Sequence, residues 1–202
     1  MPIPAGSRYV AMGSSFAAGP GLPSRVPGFV PRLTLASLPW PLGILPTVKG
    51  HVAELGDPHM TDERFERLAR NLAAIGRELH SRAPACRVVL IDYLTLLPPE
   101  GDDPGPPPTA EIAAWGRAVA ARLAATTAEA VRALGYDYVA ALATSASHHA
   151  WSTDPWTRRF HLSLRGGAPY HPNSSGMAAV AELILTKLGE APPSPARASR
   201  AV

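Results

Sequence analysis

The 202-residue sequence predicts an α/β fold, a parallel sheet with helices layered on it. Three observations carry that expectation. The run "CRVVLIDYL" (86–94) is continuously apolar and rich in β-branched residues, as a strand buried on both faces requires. The alanine-rich stretch between Thr109 and Gly135 places Ile112, Trp115, Val119 and Leu123 on one side, with a capping residue before it and a stop glycine after it. Strand and helix patterns then alternate along the chain, and parallel strands need such crossovers.

Taken in order, "RYVAM" (8–12) reads as a short buried strand that ends at Gly13. Residues 20–59 are proline-rich and irregular, with room for short helical pieces. A helix follows over 61–83. Thr61 is its expected cap, Asp62 and Glu63 suit the first turn, and Pro84 marks its end. Phe65, Leu68, Leu72, Ile75 and Leu79 form its apolar stripe. After the strand at 86–94, "PPEGDDPGPPP" (98–108) has the residues of a surface loop. "YDYVAAL" (136–142) is the next strand, followed by a loop over 143–173. Ser174 or Ser175 starts the last helix, which turns Met177, Val180, Ile184 and Leu188 toward the core and stops at Gly189. One domain over 1–189 is expected, with a disordered tail over 190–202 and no internal repeat.

Composition narrows the function classes. Hydrophobic residues make up 46% and charged residues 17%, the balance of a soluble globular chain. A net charge of +3 is spread over helices and loops without a Lys/Arg block, so no nucleic-acid footprint is read. The single Cys86 excludes an intrachain disulfide and a Cys-rich metal site, and a buried structural thiol is expected. The apolar stretch 29–48 contains Arg32 and four prolines, so it is a poor membrane span. "MPIPAGSRYV" lacks a basic region followed by a long apolar run, so a secretory signal is not expected and a cytoplasmic location is.

Two distant segments converge on one edge of such a fold. In parallel sheets, sites gather at the carboxyl ends of strands. Ser15, in "YVAMGSSFAAGPG" (9–21), follows the first strand there, and the 143–173 loop follows the last strand there. A serine hydroxyl needs a base and donors for the developing oxyanion before it acts as a nucleophile. The small residues around Ser15 permit close approach of a substrate, and its own N–H can serve as one donor. The same pattern also describes a plain Gly/Ser turn. In "PYHPNSSGM" (169–177), His171 stands just ahead of the last helix, which supplies a rigid platform for a general base. An ordinary surface histidine is the blander reading.

Together these stretches resemble the SGNH/GDSL hydrolase family of esterases and lipases, in its actinobacterial-type branch. Gly13-Ser14-Ser15 matches the family's Gly-Asp-Ser nucleophile motif, with Ser14 where Asp is usual. His171, Pro172, Asn173 and Gly176 match its catalytic His motif. "VVLIDYLTLLPP" and "SHHAWSTDPWTRRFHL" are similar to that branch as well. The resemblance covers most of 8–188. It implies a flavodoxin-like three-layer α/β/α fold with a reduced sheet, and ester hydrolysis without a cofactor or metal. Ser15 would be the nucleophile and an oxyanion donor, His171 the base, and a small-molecule or lipid ester the substrate.

The family's Gly and Gly-x-Asn-Asp motifs, both oxyanion donors, have no counterpart. The chain has two asparagines: Asn173 belongs to the His motif and Asn71 lies inside the helix at 61–83. Nor does "GLPSRVPGFVPRL" (21–33) offer room for the second and third strands. Several dozen residues are therefore inferred to be missing near 22–32, through a skipped exon, a gene-model error or a genuine deletion. Each lost oxyanion donor typically costs ~10²–10³ in turnover. An inactive family remnant is thus the competing reading, and a phosphate-binding flavodoxin-like module is a third.

The third triad member also departs from the pattern. Ala168 occupies the usual acid's place, three residues before His171. The family permits a backbone carbonyl to orient the base instead, and Asp154, in "WSTDPW", is the alternative acid. His161 is a weaker substitute for the base. His148 and His149 are adjacent without a carboxylate cluster, a poor pattern for metal.

Overall fold

The computed structural model describes residues 46–102, 108–160 and 169–190. Ser15, His161, Ala168, the expected strand at 8–12, the junction near 22–32 and the tail from residue 191 lie outside the described residues.

Within those residues the chain is α/β. Strand β1 (Val89–Ile91) pairs in parallel with β2 (Asp137–Val139), with Leu90 opposite Tyr138. The connection between them is the 25-residue helix α3 (Ala110–Leu134), the crossover that parallel pairing demands. Before β1 come α1 (Pro46–Leu55) and α2 (Pro58–Arg82). After β2 come the one-turn helix α4 (Ala141–Thr144), a 3₁₀ turn (Ala146–His148) and α5 (Ser174–Gly189).

Local chemistry explains the element ends. The Thr109 hydroxyl accepts from the Ile112 N–H at the start of α3, and Gly135 closes the helix in the left-handed region at φ 66°. The start of α2 differs from the expectation. The helix begins at Pro58, not after Thr61, because Asp57 takes the capping role: its carboxylate accepts from the His59 N–H at 2.8 Å. A proline suits the first helical position, where its missing N–H costs nothing. Thr61 sits one turn in and donates its hydroxyl to the Asp57 carbonyl.

Two apolar clusters hold these elements together. Phe65 of α2 meets Val119 and Leu123 of α3, with Leu68, Trp115 and Tyr93 around them. Gly76 of α2 lets the two helices close, since a Cβ there would stand 2.5 Å from the Leu134 side chain. Leu96, Leu97, Ile112, Ala113, Ala150 and Tyr170 form the second cluster. That cluster lies where the segments beyond the strands meet α3.

Several apolar positions depart from expectation. Ile75 and Met177 are 49% and 57% exposed, and Leu185 is exposed as well. In α5 the one buried residue is Gly176, and Val180, Ile184 and Leu188 are half-buried. β1 spans three residues, all half-buried, in place of the fully buried strand expected over 86–94. Periodicity records which side of an element is apolar, but not whether a neighbour covers it. Cys86 is exposed, not buried, because the strand begins three residues beyond it.

The amino end of the sheet is held by charge. Arg87 makes a two-pronged pair with Asp137, Nε to Oδ2 at 2.7 Å and Nη2 to Oδ1 at 3.3 Å. The same guanidinium donates to the carbonyls of Lys187, Leu188 and Glu190. Those carbonyls lie at the end of α5, where helical partners run out. One side chain thus fastens β2 to the last helix, and the bond to Asp137 raises the Arg87 pKa.

Candidate active site

The carboxyl ends of β1 and β2 run into two segments that lock to each other. The Ser145 hydroxyl accepts from the Thr95 N–H at 2.7 Å, and the Thr95 hydroxyl donates to the Leu142 carbonyl at 2.6 Å. The Ala150 N–H reaches the Leu96 carbonyl, and the Thr157 hydroxyl reaches the Thr95 carbonyl. Asp92, at the end of β1, accepts from the Tyr138 hydroxyl at 2.6 Å and the Leu142 N–H at 2.9 Å. Burial pushes the Asp92 carboxyl above its ordinary value, against the opposing effect of those donors. No sequence pattern had marked Asp92. The signal was there, an acid directly after a run of branched apolar residues, but burial at a strand end takes a fold to see.

His171 is fastened to this edge through its backbone. Its carbonyl accepts from the Arg158 N–H at 2.9 Å, and Pro172 forms an antiparallel bridge with Thr157. Asn173 donates its N–H to the Trp156 carbonyl and its side-chain amide to the Pro155 carbonyl. The Asn173 side-chain oxygen accepts from the Gly176 N–H, capping α5. Every residue from 171 to 173 is therefore held by the 155–158 segment, and the motif "HPNSSG" reads as a clamp.

The imidazole itself is oriented locally. His171 Nδ1 lies 2.9 Å from the Pro169 carbonyl oxygen. A carbonyl only accepts, so the hydrogen bond places the proton on Nδ1 and leaves Nε2 as the basic nitrogen. Tyr170, between the two, has φ of 61°, a left-handed conformation costly for a bulky residue. That turn brings the Pro169 carbonyl back toward the His171 ring. Complete burial of the Tyr170 side chain among Leu96, Leu97 and Ile112 holds it there.

The other sequence candidates sit nearby with different partners. Asp154 directs its carboxylate at His148, Oδ2 lying 3.2 Å from Nδ1, and its backbone carbonyl accepts at the same nitrogen at 2.9 Å. The His148 ring stacks on Trp156, centroids 4.0 Å apart and planes 9° from parallel. His149 faces elsewhere: its Nδ1 accepts from the Trp151 N–H, and burial lowers its pKa, with Asp102 opposing and Arg159 adding to the shift. The two histidines thus engage different partners. Among the described residues, no three His, Cys, Asp or Glu side chains group as metal ligands.

No protein-family model matches the chain, and no curated protein matches it. Solved structures do. An extracellular lipase from Streptomyces rimosus superposes with a TM-score of 0.61 at 21% identity, covering 79% of this chain and 64% of that one. A phospholipase A1 from Streptomyces albidoflavus superposes with a TM-score of 0.62 at 18% identity, again over 79% and 64%. The chain shares their α/β fold and spans less than two thirds of the length of either.

Proposed function

We propose that this chain is an SGNH-type serine ester hydrolase whose base is His171, oriented by the Pro169 carbonyl. The hydrogen bond from Nδ1 to that carbonyl carries the reading, because it performs the task of the triad acid without a carboxylate. In this reading the Ser15 Oγ bonds to the acyl carbon as its proton passes to His171 Nε2. The imidazolium then returns that proton to the departing alkoxide, and water releases the acyl group by the same route. The Ser15 N–H is one donor to the oxyanion, and neither cofactor nor metal takes part. The substrate is an ester of a small molecule or lipid, in keeping with a lipase and a phospholipase A1 as structural neighbours.

A fluorophosphonate probe tests this reading. Wild type is expected to label on serine, and Ser15→Ala and His171→Ala to lose the label. Absence of label on wild type, or equal labelling of Ser15→Ala, would overturn it.

A second reading, a family-derived chain that no longer turns over, has its own support. The missing oxyanion asparagine is not supplied by Asn173, whose oxygen caps α5 and whose amide bonds Pro155. With two donors gone, turnover falls by ~10²–10³ for each. Hydrolysis of p-nitrophenyl esters that disappears in His171→Ala would exclude this reading. A segment lost near 22–32 from a single domain over 1–189 is proposed on the absence of the family's Gly and Gly-x-Asn-Asp motifs from the sequence, and the genomic sequence around those codons tests it directly.

A further inference from the structure

We propose that Asp154 and His148 are positioning residues for His171, acting through the Trp156 stack and the backbone clamp at 155–158. This rests on the reading of His171 as a base. The chain of contacts is continuous. Two acceptors of Asp154, its carbonyl and its carboxylate, converge on His148 Nδ1. That convergence fixes the ring plane, and the ring covers the Trp156 indole. The His148 carbonyl also accepts from the Trp156 N–H at 2.9 Å. Trp156 in turn accepts from Asn173, two residues from the base, and Arg158 holds the carbonyl of His171 itself.

Anchors on either side isolate this effect from folding. Ala150 is bonded to Leu96 and Thr157 to Thr95, neither of them through residue 148. The excursion 151–156 is closed by the backbone bond from the Trp156 N–H to the His148 carbonyl, and the His148 ring adds its side-chain contacts to Asp154 and Trp156. The Asp154 side chain is 70% exposed, so its role is not core packing. Loss of the ring should therefore loosen Pro155 and Trp156, shift the first turn of α5, and release His171 from its bond to Pro169.

The test uses the full chain with ¹⁵N-labelled histidine, at a pH where the imidazoles are neutral. His171 is assigned by the resonance lost in His171→Gln. Wild type is expected to show His171 with its proton on Nδ1. His148→Ala should move that signal toward the Nε2–H form that free histidine favours, and His148→Gln, which restores a donor to Asp154 without the stacked ring, should recover the wild-type pattern only in part. Asp154→Asn, which keeps the backbone acceptor, should give a smaller shift in the same direction. Where p-nitrophenyl ester turnover is measurable, kcat should fall about tenfold in His148→Ala, from misplacement of the base, with KM little changed. A His171 signal unchanged in both His148→Ala and Asp154→Asn would overturn the proposal, even with a lowered melting temperature. Failure of Ser15 to label would overturn the hydrolase reading and leave the tautomer result to judge the positioning role by itself.

Discussion

Gly176 passes so close beneath Trp156 that a Cβ on the glycine would stand 2.2 Å from the tryptophan's carbonyl oxygen. The same carbonyl accepts from the Asn173 N–H, so cap and close approach together set where α5 begins. The helix therefore starts against the 155–158 segment, with His171 just ahead of it.

Gly176→Ala should accordingly be poorly tolerated. The obstructing atom is backbone and cannot rotate away, and overpacking of this kind costs about 1–3 kcal/mol. A urea midpoint lowered to match, together with a displaced His171 imidazole resonance, is the expected outcome. A midpoint within error of wild type would show that the helix start can slide.

Arg87→Ala should be more damaging than its position near the surface suggests. Asp137 is 6% exposed, and removing its partner leaves a buried charge, at a cost of about 3–5 kcal/mol. The substitution also strips a donor from the carbonyls at the end of α5. Adding Asp137→Asn should recover part of the loss, since the orphaned charge is then gone. Denaturant curves for the two single variants and the double variant check this.

Asp92 makes stability depend on pH in a defined direction. Its folded pKa is raised by burial above the unfolded value, so the folded state binds the proton more readily. Its contribution is therefore full below the unfolded pKa and is lost as pH rises through the folded one. Measured against Asp92→Asn, wild type should gain stability as pH falls from 7 into the carboxylate range. A difference in melting temperature that stays flat, or that grows toward neutral pH, would contradict this.

Cys86 should react with Ellman's reagent in the native protein, one thiol per chain, without denaturant. Its side chain is exposed and makes a single weak contact, to the Arg87 carbonyl at 3.5 Å. Reaction only after unfolding would show that the thiol is covered.

Much of the frame was legible along the chain. Thr109 and Gly135 bounded α3, because capping acts over three or four residues, and α5 starts at Ser174, one of the two serines the sequence offered, while its cap Asn173 came to light only in the structure. The strands at β1 and β2 stood where branched apolar runs placed them, though each was shorter. Coverage of side chains was not legible. Ile75 and Met177 kept the helical spacing of core residues and are exposed, since the spacing says nothing of what lies opposite.

At the candidate site, sequence by itself singled out the histidine motif and its companions Pro172, Asn173 and Gly176, along with Asp154 and the pair His148–His149. It left open which group orients His171. Tertiary structure decided that the Pro169 carbonyl meets Nδ1, that Asp154 turns to His148, and that Asp92 is a buried carboxylate at the end of β1. The physical reason is range. Caps, turns and helix periods are set by neighbours within a few residues. A hydrogen-bond partner across 18 or 62 positions, as for Asn173 with Pro155 or Thr157 with Thr95, exists only once the sheet edge has brought the two segments together.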